Sequence, residues 1–206
     1  MIPVEVAAGF SRSRGFWAGR IMAATQSHWC HAMIRFRFED GSYRLFESRI
    51  QTRGFAETDP ALYDLEALAE AGLETDVEAV RFVPIADSDS AHPVSLQEAL
   101  TRCEQWCGAS PYPIWQLAAI WMSHRYGLSV PVSEGKLICS EAVAVIASIL
   151  GVDLRDRWHP NFDAVTPGSA WNNLMAIRAG YGACIVRDRK EIGTCDWKRF
   201  SKYYSL

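Results

Sequence analysis

A cysteine, a histidine and a glutamate stand in three segments whose patterns suit nucleophilic catalysis. Cys139 lies in KLICSEAVAVIASILG, residues 136–151, at the predicted start of an amphipathic helix. The first turn of a helix offers unpaired backbone N–H groups and partial positive charge, which lower the pKa of a thiol and favour the reactive thiolate. The same N–H groups can hold an oxyanion. Cys139 is therefore a candidate nucleophile, and the competing interpretation is a small buried core residue.

The candidate histidine and glutamate lie on two predicted neighbouring strands. His31 begins HAMIRFRF, whose alternation is typical of a half-buried strand, and a strand can hold an imidazole rigidly as a general base. Glu47 ends YRLFES, which follows the hairpin signal Asp40-Gly41. A carboxylate there would orient the imidazole, which is the third role of a triad. The competing interpretations are a structural histidine and a solvent-facing glutamate.

Two other histidines and a metal site are the alternatives to this triad. His28 offers a second base close to His31, and His159 follows Cys139 in RWHPNF, a segment that resembles a loop. His28, Cys30 and His31 would supply three metal ligands, but no second cluster completes the set. The six cysteines include no C-x-x-C pair. We therefore expect neither a metal nor an organic cofactor.

The elements that must position these residues mix strands and helices. Without strict strand–helix–strand alternation, the pattern predicts an α+β fold in one domain over residues 1–206. Cys103 and Cys107 are predicted to be core residues, because they have helical spacing with apolar neighbours. The predicted strands span residues 4–10, 29–38, 43–46 and 77–84, and the predicted helices span 14–24, 60–72, 95–107, 113–125 and 139–150.

Composition and charge exclude several classes of protein. The chain has 206 residues, with 21 Lys and Arg against 24 Asp and Glu, a formal net charge of −3, which argues against a basic nucleic-acid binder. Its apolar stretches fall short of the roughly 20 residues that a transmembrane segment needs. The N-terminal residues lack the pattern of a signal peptide. We expect a cytoplasmic protein, or one exported by a route without a classical signal peptide.

The two catalytic segments resemble those of a known superfamily. CSEAVAVIASILG resembles the cysteine helix of the NlpC/P60 papain-like hydrolases, and HAMIRF resembles their catalytic histidine strand. Because His31 precedes Cys139, the order resembles the circularly permuted branch, the YiiX-like and LRAT-like proteins. Glu47 matches the polar position on the strand after the histidine, and Thr166-Pro167 resembles a downstream element. Together these parts cover roughly residues 20–55 and 135–170.

The resemblance implies a fold and an activity. The implied fold is permuted papain-like, with an antiparallel sheet packed against the Cys139 helix and a helical insertion around residues 56–134. The implied activity is amide cleavage by Cys139, His31 and Glu47 through an acyl-enzyme, with peptides, peptidoglycan peptides above all, as substrates. GASPYPIW is similar to a Gly-x-Pro-Tyr segment of the superfamily, which implies that Tyr112 lines the substrate site.

Two other functions stay open at this point. The permuted branch also contains lipid-directed acyl-transfer members, so an acyltransferase or a lipid or ester hydrolase is the first alternative, with an acyl group as the substrate. The second alternative is a non-enzymatic binding module that keeps the fold without the chemistry. The reactivity of Cys139 discriminates the enzymes from the binding module.

Overall fold

A computed structural model describes six stretches of the chain: residues 1–25, 27–48, 53–55, 77–108, 138–155 and 165–179. The strands are β1 (Pro3–Ser13), β2 (His31–Phe38), β3 (Tyr43–Ser48), β4 (Arg53–Phe55) and β5 (Val77–Asp87). The helices are α1 (Phe16–Thr25), α2 (Leu96–Trp106), α3 (Cys139–Ile149) and α4 (Pro167–Arg178).

The strands form one five-stranded antiparallel sheet in the order β4-β3-β2-β1-β5. The prediction of an α+β fold with an antiparallel sheet is confirmed. The hairpin predicted at Asp40-Gly41 joins β2 to β3, and Gly41 has a φ of +81°, a conformation that favours glycine. β2 is the central strand, so His31, its first residue, lies in the middle of one end of the sheet.

The core lies between the sheet and three helices. Side chains alternate along a strand, so every second residue of β1 and β2 reaches this face. The helices α2, α3 and α4 supply the apolar residues opposite, and α3 contacts both β2 and β3. The main members of the core are Val6, Ala8, Phe10, Ala32, Ile34, Phe36, Leu96, Leu100, Val143, Ile146 and Leu174.

Local sequence signals fix the helix ends. The Ser95 hydroxyl accepts the Glu98 backbone N–H at 3.1 Å, which caps α2 as predicted. Gly151 follows the end of α3 with a φ of +91°, where glycine avoids the strain of a side chain. α4 was not predicted, although Thr166 and Pro167 give it a hydroxyl N-cap and a proline in its first turn.

One core prediction is wrong. Cys103 is fully buried as expected, but Cys107 is exposed. Cys107 is the C-cap of α2, so the chain leaves the helical path there and helical spacing no longer directs the side chain to the core.

Part of the predicted insertion at residues 56–134 is described. Residues 77–108 include β5, which pairs with β1, and α2, which packs in the core. The helices predicted at 60–72 and 113–125 lie outside the described residues, as does Tyr112. None of the helices within the described stretches is long and apolar enough to cross a membrane.

Candidate active site

Cys139 is the first residue of α3, at a helix start without a side-chain cap. Ile138 occupies the N-cap position, and its aliphatic side chain has no hydrogen-bond acceptor. The Glu141 carboxylate accepts the Ile138 N–H at 3.2 Å, so the acidic residue of the Cys-Ser-Glu segment stabilises the helix start from within. The N–H groups of the first turn are then available to the thiol.

Three backbone N–H groups lower the pKa of the Cys139 thiol. Two belong to the helix start, from Cys139 itself and Ser140, and one belongs to Ala32 in β2. Only 8% of Cys139 is exposed. Burial raises the pKa of the thiol to about 11 and outweighs the lowering by the Ala32 and Ser140 N–H groups. The helix start favours the thiolate as the sequence predicts, but the buried setting leaves the thiol protonated at neutral pH.

His31 and Glu47 meet at the same end of the sheet. The His31 Nε2 atom lies 4.0 Å from a Glu47 carboxylate oxygen, an ion pair when the imidazole is protonated. Met33 stands opposite Glu47 in the β2–β3 pair, and His31 precedes Met33 by two residues, so both side chains project from the same face. Glu47 is 5% exposed. A carboxylate this buried interacts strongly with a neighbouring cation.

The remaining contacts hold the helices around this end of the sheet. The buried Ser140 hydroxyl donates to the Val165 carbonyl, which ties the start of α3 to the residue just before the N-cap of α4. The rings of Trp29 and Trp171 lie 4.9 Å apart, and that of Phe10 lies 5.3 Å from Trp171. These aromatic contacts link α4 to β1 and to the residues just before His31, and so fix the approach to β2.

The alternatives to the triad were two other histidines and a metal site. His28 lies exposed in the segment before β2, and the Cys30 thiol donates to the Ser11 carbonyl at 3.3 Å. Across the described stretches, no three His, Cys, Asp or Glu side chains cluster in a way that could hold a metal ion. His159 lies outside the described residues, as Tyr112 does.

The structure therefore brings Glu47 to His31, and Cys139 to the backbone of the residue that follows His31. Sequence reasoning missed the donor at Ala32, because a backbone N–H carries no residue-type signal. It also missed the Ser140 hydroxyl bond, although a serine beside a candidate nucleophile at a helix start was a usable signal. A thiol at a helix start, an imidazole and a carboxylate are the groups that cysteine hydrolases use for acyl transfer.

Among known proteins, no family model and no curated sequence matches this chain. A function for this chain is therefore inferred from the chemistry of its site residues.

Proposed function

We propose that this chain is a cysteine hydrolase of permuted papain-like architecture that cleaves an amide bond through a Cys139–His31–Glu47 triad. The observation that carries the proposal is the Cys139 thiol at the first position of a helix without a side-chain cap, where the N–H of Ala32, the residue that follows His31, is among the groups that lower its pKa. Placing a thiol against N–H donors serves a nucleophile, whereas a merely structural cysteine gains little from it.

His31 supplies the base in this proposal. Its Nε2 atom faces Glu47, so Nδ1 is the nitrogen that we assign to the thiol proton. Because the thiol rests protonated, proton transfer to His31 accompanies the approach of the substrate. The buried Glu47 carboxylate stabilises the imidazolium that forms and keeps the ring oriented.

The reaction proceeds by acyl transfer in two halves. The Cys139 thiolate forms a bond to the carbonyl carbon, and the oxygen takes the negative charge under the N–H groups of the helix start. The carbon–nitrogen bond then breaks as His31 gives its proton to the leaving amine. A water molecule, deprotonated by His31, attacks the thioester, and the acid product leaves with Cys139 again a thiol. We propose peptides, including peptidoglycan peptides, as the substrates.

The first experiment measures how fast iodoacetamide alkylates each cysteine as a function of pH, by mass spectrometry on the native protein. We expect Cys139 to react faster at neutral pH than the fully buried Cys103, and to slow about tenfold or more in a His31→Ala variant. Equal Cys139 rates with and without His31 would rule out the triad. Turnover of muropeptides compared with acyl esters then separates an amidase from an ester-directed enzyme.

The Glu47 carboxylate offers a graded test of the same triad. Glu47→Gln keeps the size of the side chain but removes the charge that stabilises the imidazolium. We expect kcat to fall about tenfold to a hundredfold, less than for His31→Ala, because proton transfer itself survives. Arg44→Gln, a change on the same strand away from the site, is the matched control. A Glu47→Gln loss as large as that of His31→Ala in a folded protein would contradict this ranking.

A further inference from the structure

The chain from β1 to β2 carries positive charge without acidic residues. Between Glu5 and Glu39 the sequence has five arginines and no aspartate or glutamate, although the formal net charge of the whole chain is −3. Three of the five, Arg12, Arg14 and Arg20, lie near the end of β1 and in α1. The connection between the two strands is therefore basic on a chain that is slightly acidic overall.

The contacts of these arginines neutralise part of this charge. The carboxylate of Glu78, in β5, has one oxygen 2.7 Å from the Arg12 Nε and the other 3.0 Å from the Arg14 Nε. Together with Arg20, these side chains carry two more positive than negative charges, three against one. The Arg14 side chain is 76% exposed, so its charge reaches solvent.

The outward face of α1 is mostly apolar. Its exposed residues, Phe16, Gly19, Arg20 and Ala23, have the spacing of one helix face. Phe16 is 68% exposed, and the Arg20 guanidinium lies 5.0 Å from the centre of its ring. No atom of the described residues lies within 4 Å of the point where a side chain at Gly19 would begin. A surface helix ordinarily turns polar side chains to water, so this face is suited to an apolar phase.

The helix α1 lies at the end of the sheet that carries the candidate site. It joins β1 to β2, and Ser11 stands opposite His31 where these strands pair. Just after α1, Ser27 packs against Gly168 in the first turn of α4, where a larger residue would overlap it. The hydrogen bond from Ser140 ties the same end of α4 to the start of α3. A surface that binds α1 would therefore be close to His31.

We propose that α1, together with Arg12 and Arg14, docks the protein on an anionic lipid bilayer. In an interfacial helix the apolar side chains enter the headgroup region, and arginines beside them attract acidic headgroups. A nucleic acid would also match the charge, but the outward face of Phe16, Gly19 and Ala23 favours a lipid surface. Docking requires no reaction at Cys139, and so it goes beyond the proposed function.

The test is sedimentation of the full chain with lipid vesicles. One set contains phosphatidylcholine alone, and the other contains about one third phosphatidylglycerol. We expect binding to the anionic vesicles to be at least about tenfold tighter, and to be largely lost in about 0.5 M NaCl, because salt screens the arginines. Equal binding to both sets, or no binding to the anionic set, would overturn the proposal.

Two variants and two matched controls assign the binding to α1. Phe16→Ser should weaken binding to anionic vesicles about fivefold or more, and Arg20→Glu about tenfold or more. Ile2→Ser removes another exposed apolar side chain, at the opposite end of β1, and Arg102→Glu makes the same charge change on the exposed side of α2. Both controls should bind as the native chain does. Control losses as large as those of the α1 variants would refute docking through α1.

Hydrogen exchange on the unmodified chain covers a variant that does not fold. On anionic vesicles the backbone amides of residues 14–25 should exchange more slowly, whereas those of α2 should keep their rates. Protection elsewhere in the chain, without protection of residues 14–25, would count against the proposal.

Other occupants of the α1 face give different results. A dimer that Phe16→Ser dissociates, in a protein that binds no vesicles, would assign the face to a second copy of the chain. Binding to a labelled oligonucleotide but not to vesicles would assign it to a nucleic acid. Either result would overturn docking on lipid.

The outcomes also separate docking from the proposed function. Cys139→Ala should bind anionic vesicles as tightly as the native chain. Vesicle binding by a protein that hydrolyses neither peptides nor esters supports docking and counts against the hydrolase. Hydrolysis that depends on Cys139, in a protein that binds no vesicles, keeps the hydrolase and refutes docking.

Discussion

Two helices of the same length, α2 and α3, each bury a cysteine, but at different positions along the helix. Cys103 lies inside α2, where burial raises the pKa of its thiol and the helix N–H groups are committed to the backbone. Cys139 begins α3, where burial also raises the pKa but N–H groups oppose it. The comparison teaches that burial raises the pKa of both thiols, and that backbone N–H groups oppose the rise only for the thiol at a helix start.

The N-cap residue of α3 also differs from those of α2 and α4. The N-cap of α2 is Ser95, whose hydroxyl accepts a first-turn N–H, and the N-cap of α4 is Thr166, whose hydroxyl does the same. The N-cap of α3 is Ile138, whose side chain has no acceptor. Where two helices satisfy a first-turn N–H with a hydroxyl, the third places a thiol at its first position and has no side-chain cap. Such a start gives up capping stability in exchange for a polarised thiol.

The largest effect expected from this comparison is on turnover. Replacing the proposed nucleophile in Cys139→Ala should reduce kcat at least about a thousandfold while leaving the far-ultraviolet circular dichroism spectrum unchanged. Cys103→Ala, the matched change in α2, should keep its activity and cost only about 1 kcal/mol of unfolding free energy. Similar activity losses in the two variants would place the reacting cysteine elsewhere.

The raised pKa of each thiol makes stability depend on pH. The folded state keeps the Cys139 proton up to about pH 11, whereas the unfolded chain releases it near 9.0. Stability from this group is therefore complete below about pH 9 and lost as pH rises toward 11, an effect of about 2–3 kcal/mol. Urea unfolding at a series of pH values measures it. The slope should be shallower in Cys139→Ala and in Cys103→Ala than in the native chain.

A smaller effect is expected where α3 is tied to α4. The Ser140 hydroxyl is buried and donates to the Val165 carbonyl. Ser140→Ala should lower the unfolding free energy by about 1–2 kcal/mol, since the carbonyl loses its partner. Ser148→Ala, on the partly exposed side of the same helix, is the control and should be near neutral. Equal denaturation midpoints for the two variants would show that the bond contributes nothing.

The smallest effect belongs to the capped helix. Ser95→Ala removes the acceptor for the Glu98 N–H and should cost about 1 kcal/mol of unfolding free energy. Gln97→Ala, an exposed change in the same turn, is the comparison. Neither change should alter the alkylation profile of Cys139. A displaced profile would mean that the two helix starts are coupled.

Much of the local structure could be predicted from the sequence because local signals decide it. Alternation in HAMIRFRF and the Asp40-Gly41 turn were enough for the β2–β3 hairpin, and Ser95 and Gly151 were enough for two helix ends. The order of the strands could not be predicted, because pairing of β5 with β1 depends on contacts between residues far apart in the chain.

In the candidate site, too, local features could be predicted and features that depend on packing could not. The residue types of Cys139, His31 and Glu47 could be identified, and the closeness of His31 to Glu47 follows from hairpin pairing. The direction of the thiol pKa could not, because burial depends on how α3 packs against the sheet. The contribution of the Ala32 N–H could not be predicted, since every residue type except proline supplies the same group.

That last property has an evolutionary consequence. The three groups that lower the pKa of the Cys139 thiol are all main-chain amides, contributed by a cysteine, a serine and an alanine. Mutation can change the side chains at two of these positions without deleting a donor, provided that the backbone keeps its path. A site of this kind constrains the path of the backbone far more than the residue types. Related sequences can therefore diverge widely and still keep the same main-chain amides near the thiol.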